Sequence, residues 1–449
     1  MKLHFFGGTQ MVTGSNFLLE SKSAKILIDC GLFQGIQHVE DKNYEKFPFD
    51  PTKIDFLLVT HAHLDHIGRI PKLFKDGFKG KILATRPTKD FAYEMLLDSQ
   101  GILEDEAKRL HKEPLYKEID VEKSIKLIEG VDYGEKINLG KGITCRFQDA
   151  GHILGSAIIE VWAGKKKIVF SGDLGNPPVP LLRSTKFIEE ADYVLIESTY
   201  GDRVHENKEH RQDILENVIE DTVTQGGTLM IPAFALERTQ ELLFELNELV
   251  ENHRIPRVPV FIDSPLAIRS LEIYKKYPEY YNQEATYLIE SGDDLFRFPG
   301  LVFTETVEES KKINEVKPPK IIVAGSGMST GGRILHHEIR YLPDPNSAIL
   351  FASFQVAGTL GRRILDGAKE VKIFNENIAV RAKARSIPAY SAHADQEMLR
   401  KWVDKIKRPI KHIFVVQGEA GPALSLVQLI RDHLGIDASA PMLNEVVEI

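Results

Sequence analysis

Six consecutive residues, His61-Ala62-His63-Leu64-Asp65-His66, carry three imidazoles and a carboxylate. These are the donors that borderline ions such as zinc accept. So many polar groups in one short segment are tolerated in a folded interior when a cation draws them together. Residues 56–60 before them read as a compact buried strand, so the segment leaves that strand at its carboxyl end. Two ions need more ligands than one loop supplies. Asp149-Ala150-Gly151-His152-Ile153-Leu154-Gly155-Ser156 offers His152 among glycines, where backbone can approach a site closely. Ser171-Gly172-Asp173-Leu174-Gly175 puts Asp173 just past another strand end. Asp29 closes the apolar run Ile26-Leu27-Ile28, where a carboxylate could hold a ligand histidine in place.

A different pairing concerns proton transfer. Glu197 ends a buried run and opens Glu197-Ser198-Thr199-Tyr200-Gly201, and far along the chain stands Ser391-Ala392-His393-Ala394-Asp395. A carboxylate can keep a partner imidazole protonated, and such a cation can donate to a leaving oxygen or stabilise its charge. Ser391 could hydrogen-bond a phosphate oxygen. The glycine-rich segment 325–332, which includes Ser326 and Gly327, follows a strand and precedes a helix-like stretch at 333–340, so its amides could receive a phosphate. Thr359 stands just before the longest locally basic stretch of the chain, made by Arg362, Arg363, Lys369, Lys372, Arg381, Lys383 and Arg385. Such a run suits either a solvated face or a groove that tracks phosphates.

The elements that must position these groups change character along the chain. Up to about residue 200, short strands alternate with loops: 16–20, 25–29, 157–162, 167–171 and 193–196, with a helix over 88–110. From there to about residue 388, helices (210–223, 236–250) alternate with buried strands (228–231, 258–262, 320–324, 348–351), the rhythm of a parallel sheet covered by helices. A strand at 413–416 and a helix at 423–434 then form a tail too small to stand alone, so it completes the first part and makes the middle an insert. There is no internal repeat or long linker.

Composition bounds the class. The 449 residues are 43% hydrophobic and 27% charged, ordinary for a soluble globular protein. No run approaches the apolar length of a membrane helix, and the start turns polar too soon for a signal peptide. Cys30 and Cys145 are the only cysteines and form no CxxC, which argues against a disulfide framework or thiolate zinc site. A cytoplasmic enzyme is expected. The net charge of −8 disfavours bulk coating of nucleic acid but leaves room for a nuclease with bound cations.

Asp29, the HxHxDH segment, His152 and Asp173, in that order, resemble the successive motifs of the metallo-β-lactamase superfamily. The resemblance implies an αββα sandwich in which His61, His63 and His152 bind one zinc, Asp65 and His66 a second, and Asp173 bridges them; a metal-bound hydroxide would be the nucleophile, with Asp65 among the catalytic residues. Glu197 and His393 are similar to motifs of the β-CASP nucleases, the branch that includes RNase J and the pre-mRNA 3′-end processing endonuclease. The implied architecture is a metallo-β-lactamase domain (1–200 and 390–449) interrupted by a parallel-sheet α/β β-CASP insert (201–389). The implied activity is hydrolysis of single-stranded RNA, leaving 5′-phosphate and 3′-hydroxyl ends, with Glu197 and His393 assisting the leaving group. Ser391, Ser326, Gly327, Thr359 and Arg362 are the residues expected to meet RNA, and a homodimer is the expected assembly.

One position departs from the pattern. The RNA-directed members carry a histidine in a Val-His-Gly-Glu context, where this chain reads Val415-Val416-Gln417-Gly418-Glu419. A glutamine amide oxygen is a weaker zinc donor than imidazole, so the second of two zinc sites should be the weaker one. Gln417 also keeps two alternatives open: a subunit that binds RNA or a partner without cutting, and a DNA nuclease, because DNA-directed members lack that histidine as well. A small-molecule hydrolase is disfavoured by the long insert.

Overall fold

A computed structural model describes every residue except 36, 206–209, 354, 357 and 408. The chain forms two compact units. One comprises Met1–Val179, Arg183–Val204 and Ala392–Ile449, and the other Pro180–Leu182 and His205–Ser391.

The first unit is built on two seven-stranded sheets. One runs in the order Val446–Glu448, Lys2–Gly7, Asn16–Glu20, Lys25–Ile28, Phe56–Leu58, Lys81–Thr85 and Ile128–Val131. The other runs Ala438–Ser439, His412–Val416, Tyr193–Glu197, Lys166–Phe170, Ala157–Ala163, Ile143–Asp149 and Ile137–Gly140. Side chains alternate across a strand, and here both alternate sets are apolar. Phe5, Phe17, Leu19 and Ile28 of the first sheet meet Phe147, Ile159, Val161, Phe170 and Leu195 of the second in one core. Ile158, Val169, Val194 and Ile413 point the other way, onto Leu399, Trp402 and Leu426 of the helices Gln396–Asp404 and Ala420–Leu429. The helix Arg86–Arg109 lies against Lys81–Thr85 and Ile128–Val131 of the first sheet. The result is an αββα sandwich. Trp402 is fully buried and donates its indole N–H to the Lys186 carbonyl at 3.0 Å. Trp402→Ala is therefore expected to lower the unfolding free energy by about 3–5 kcal/mol, measured as a shifted denaturant midpoint.

Strand direction gathers the chemistry at one end. Lys25–Ile28 pairs parallel with Phe56–Leu58, with Ile28 opposite Leu58, so Asp29 and the segment after Leu58 emerge together. Lys166–Phe170, Tyr193–Glu197 and His412–Val416 are three parallel neighbours, with Leu195 opposite both Phe170 and Phe414. Their carboxyl ends consequently release Asp173, Glu197 and Gln417 side by side. The strand read over 56–60 stops at Leu58 because the Thr60 N–H is taken by the Asp29 carboxylate, 2.8 Å away, instead of a ladder partner. Asp29 itself adopts a left-handed backbone (φ 58°), which ends its strand one residue earlier than the sequence suggests.

The second unit holds a six-stranded sheet, all of whose pairings are parallel, in the order Leu301–Phe303, Val260–Asp263, Lys320–Ala324, Thr228–Pro232, Ala348–Phe351 and Lys383–Ser386. Its four central strands are buried along their whole length, as a sheet covered on both faces requires. The helix expected over 236–250 begins two residues later, at Arg238.

Candidate metal centre

His61 and His63 flank Ala62 on the loop between Phe56–Leu58 and the short helix Leu64–Ile67. His61 Nε2 lies 3.1 Å from His63 Nδ1, and His152 Nε2 lies 3.2 Å from the same atom. Asp173 Oδ2 stands 3.5 Å from His61 Nε2 and 3.7 Å from His152 Nε2. One donor atom from each of these four residues falls within 4.8 Å of all the others. Four nitrogen or oxygen ligands around a tetrahedral zinc would be spaced about 3.3 Å apart, close to the separations seen. Burial pushes the His61 and His152 imidazoles well below their ordinary range, and neighbouring histidines add to it. Burial pushes His63 down to about 3. Three neutral rings that turn lone pairs toward one carboxylate fit a divalent cation.

The rings are aimed by hydrogen bonds the motif does not contain. His152 Nδ1 meets the Ala392 carbonyl at 3.2 Å, and the His152 N–H donates to Ser156 Oγ at 3.0 Å. Asp29 accepts from Thr60 N (2.8 Å), Thr60 Oγ1 (2.8 Å), Ser15 Oγ (3.2 Å) and His66 Nδ1 (2.7 Å). With its own proton on Asp29, Thr60 Oγ1 is left to accept from His61 Nδ1, 3.0 Å away. Asp29 thus orients His66 directly and His61 through Thr60. Sequence reasoning missed Thr60 and Ser15; asking what satisfies the second nitrogen of His61 would have pointed to Thr60.

Asp65 and His66 are arranged differently. Asp65 Oδ2 is 3.8 Å from His66 Nε2, and among the described residues neither joins a set of three or more converging donors. Gln417 stands where His66 and Asp173 face each other. Its Nε2 is 2.8 Å from His66 Nε2 and donates to Asp173 Oδ1 at 2.9 Å. Burial opposes a charge on His66, and the carboxylates of Asp173, Asp29 and Asp65 outweigh it. The amide in contact with Nε2 nevertheless needs an acceptor there, so the form this contact admits is neutral with its proton on Nδ1.

Glu197 and His393 do come together. His393 Nδ1 lies 3.3 Å from Glu197 Oε2 and 3.8 Å from Asp173 Oδ2. The His393 backbone is bridged to Gly175, and the Ala394 N–H donates to the Leu174 carbonyl at 2.7 Å, which pins the ring beside the Asp173 loop. Asp395 then caps the helix Gln396–Asp404 through the Met398 N–H. Burial pushes the Glu197 carboxyl up against the pull of His393. Burial pushes His393 down, but Glu197 and then Asp173 lift it to about 9. The two shifts concern one shared proton. It belongs on His393, because Glu197 already accepts the Leu174 and Thr199 N–H groups at 2.7 and 3.4 Å.

The residues expected to meet RNA lie in the second unit. Ser326 Oγ accepts from the Thr330 and Gly331 N–H groups at 3.0 and 3.2 Å. The Gly327 carbonyl accepts from Ser353 Oγ and Gln355 Nε2. Thr359 caps the helix Leu360–Leu365. Arg362 Nε is held by Asp366 at 2.9 and 3.0 Å, which reduces its charge for an anion. Ser391 is half-buried at the end of this unit.

Comparison with known proteins gives three consecutive family matches. Residues 11–195 match the model of the metallo-beta-lactamase superfamily, 239–364 that of the Beta-Casp domain, and 377–441 that of a Zn-dependent metallo-hydrolase RNA specificity domain. The chain is 38% identical to a ribonuclease of Thermus thermophilus over 432 residues, 96% of each chain. It is 34% identical to an RNase J-like protein of Methanocaldococcus jannaschii over 100% of this chain and 99% of that one. It is also 31% identical to a transcription termination factor of the same organism, covering 72% of that protein. A solved structure of a protein of unknown function from Enterococcus faecalis matches the fold across 99% of both chains, with a TM-score of 0.58 and 13% identity.

Proposed function

The chain belongs to the Beta-Casp branch of the metallo-β-lactamase superfamily, and we propose that it is a zinc-dependent ribonuclease that hydrolyses phosphodiester bonds of single-stranded RNA. The observation that carries this reading is the convergence of His61, His63, His152 and Asp173, with the Glu197–His393 pair sharing Asp173 as a neighbour. His61, His63, His152 and Asp173 would hold one ion, and Asp65, His66 and Asp173 flank a second, weaker position beside Gln417. Bound ions of this kind supply Lewis acidity and lower the pKa of water toward neutrality.

The chain's own groups do the rest. Neutral His61, His63 and His152, aimed by Thr60, Asp29 and the Ala392 carbonyl, keep their lone pairs on the reacting centre. Glu197 holds a proton on His393, and with Nδ1 turned to that carboxylate the ring offers Nε2–H to the leaving 3′ oxygen. Cleavage would yield 5′-phosphate and 3′-hydroxyl ends. In the second unit, Ser326, Gly327, Thr359, Arg362 and Ser391 are proposed RNA contacts. We take residues 201–389 as the inserted domain and 1–200 with 390–449 as the catalytic one. Among the described residues no helix is long and apolar enough to cross a membrane, and we place the enzyme in the cytoplasm, with a homodimer as the assembly to be checked by light scattering.

Elemental analysis paired with a nuclease assay tests the reading. Purified protein is expected to carry at least one zinc per chain and to cut single-stranded RNA in preference to duplex DNA. Chelation should stop cleavage, and zinc should restore it. Failure to bind zinc at any concentration would sink the metallohydrolase assignment. Two bound ions without cleavage of any nucleic acid would favour a non-catalytic RNA-binding subunit.

A further inference from the structure

We propose that Gln417 is a competitor of a second metal ion and not its weak ligand, so that the centre holds one ion per chain. The inference rests on the reading that the histidine cluster binds metal. A primary amide has two N–H donors, and both have a buried target: Asp173 Oδ1 at 2.9 Å and His66 Nε2 at 2.8 Å. The orientation of the amide is not free. Turning it over would bring its carbonyl oxygen to 2.9 Å from the Asp173 carboxylate, two acceptors in contact with no proton between them. With the nitrogen inward, the same atom faces His66 Nε2, whose lone pair is the one an ion would need.

The backbone holds this side chain in place. The Gln417 N–H donates to the Gly8 carbonyl at 2.6 Å, and its carbonyl accepts from Ser198 N and Thr199 Oγ1 at 3.2 and 3.1 Å. The residue is 2% exposed and sits at φ 48°. Two consequences follow for the ligands. Asp173 has its Oδ2 facing His61, His152 and His66 at 3.4 to 3.7 Å and its Oδ1 occupied by the amide. His66 is tied at both nitrogens, Nδ1 to Asp29 at 2.7 Å and Nε2 to Gln417. An ion at the second position would have to displace the amide from His66 Nε2 before it gained that ligand. The first set, His61, His63, His152 and Asp173 Oδ2, is untouched by this network, which is why one ion is expected and not none.

The experiment is zinc titration of chelator-stripped full-length protein by calorimetry, with stoichiometry checked by elemental analysis and with cobalt absorption as a second reporter. Wild type is expected to bind one ion tightly. Gln417→Leu removes both N–H donors and adds no ligand; it is expected to tighten binding of a second ion by at least about tenfold relative to wild type, since the competing hydrogen bonds are gone. A weak-ligand role requires the opposite, a looser second ion in Gln417→Leu, and that result would overturn the proposal. Gln417→His is expected to give two ions per chain. If the leucine variant does not fold, the wild-type protein still decides: the Gln417 side-chain amide protons, followed by NMR, should be protected from exchange in the metal-free and one-zinc states. Solvent-like exchange there would overturn the proposal as well. Two ions of similar affinity in wild type would remove this inference alone, whereas no ion in any variant would remove the metalloenzyme reading and this inference with it.

Discussion

Replacing His393 by alanine is expected to slow the chemical step of RNA cleavage by roughly 10²–10⁴-fold while zinc content stays at the wild-type value. The reason is geometric. His393 meets a buried carboxylate, Glu197, through Nδ1 and is 3.8 Å from Asp173, yet it is not one of the four converging donors His61, His63, His152 and Asp173. Single-turnover rates and elemental analysis on the same sample check both halves. Loss of zinc in the variant would make His393 a ligand and remove its role as proton donor. The pair also has a pH signature. Burial pushes His393 down, but Glu197 lifts it to about 9, so the imidazolium is populated up to that pH and lost above it. Glu197→Gln removes the main lifting charge, and the alkaline limb of the rate profile should move to lower pH. A limb that stays where it was in Glu197→Gln would mean that another group sets it.

Asp173→Asn is expected to weaken zinc binding by more than 100-fold, beyond the roughly 10–100-fold that loss of an outer hydrogen-bond partner costs, and to abolish measurable cleavage at ordinary zinc concentrations. Asp173 is the one carboxylate shared by the His61–His63–His152 set and the Glu197–His393 pair, with His61, His66 and His152 at 3.4 to 3.7 Å and His393 at 3.8 Å. Those surroundings hold its carboxyl well below the usual carboxylate range in spite of burial, the His393 imidazolium among the groups that favour its charge. An amide keeps the shape and loses the charge. Competition with a chromophoric chelator gives the affinity directly. Retention of zinc within a few-fold of wild type would show that the three imidazoles suffice and that Asp173 is not a ligand.

The donor types and the order of the motifs were legible in the linear chain because imidazole and carboxylate are set by residue type alone, and because the segment after a strand keeps such residues close in sequence. His61, His63, Asp65 and His66 could be read this way with no knowledge of packing. The parallel sheet of the second unit was legible too, since strands buried on both faces, such as 320–324 and 348–351, are apolar throughout. Several elements left no such trace. Lys2–Gly7 is a strand only because Asn16–Glu20 and Val446–Glu448 pair with it on either side, and the second of those partners lies at the far end of the chain. The roles of Thr60 and Ser15 follow from which hydroxyls face Asp29, and hydroxyl residues are too common to mark a site by type.

Gln417 divides the two kinds of information most clearly. The sequence by itself determined that an amide stands where an imidazole was expected, and from ligand chemistry alone the natural inference was a poorer oxygen donor to a second ion. Only the tertiary structure decided which end of that amide faces inward. Three parallel strands end side by side and bring Asp173 and Gln417 together, while the Phe56–Leu58 strand of the other sheet leads into the short helix Leu64–Ile67 that carries His66. Next to a carboxylate, hydrogen-bond polarity then leaves the nitrogen as the only atom of the amide that can point at it.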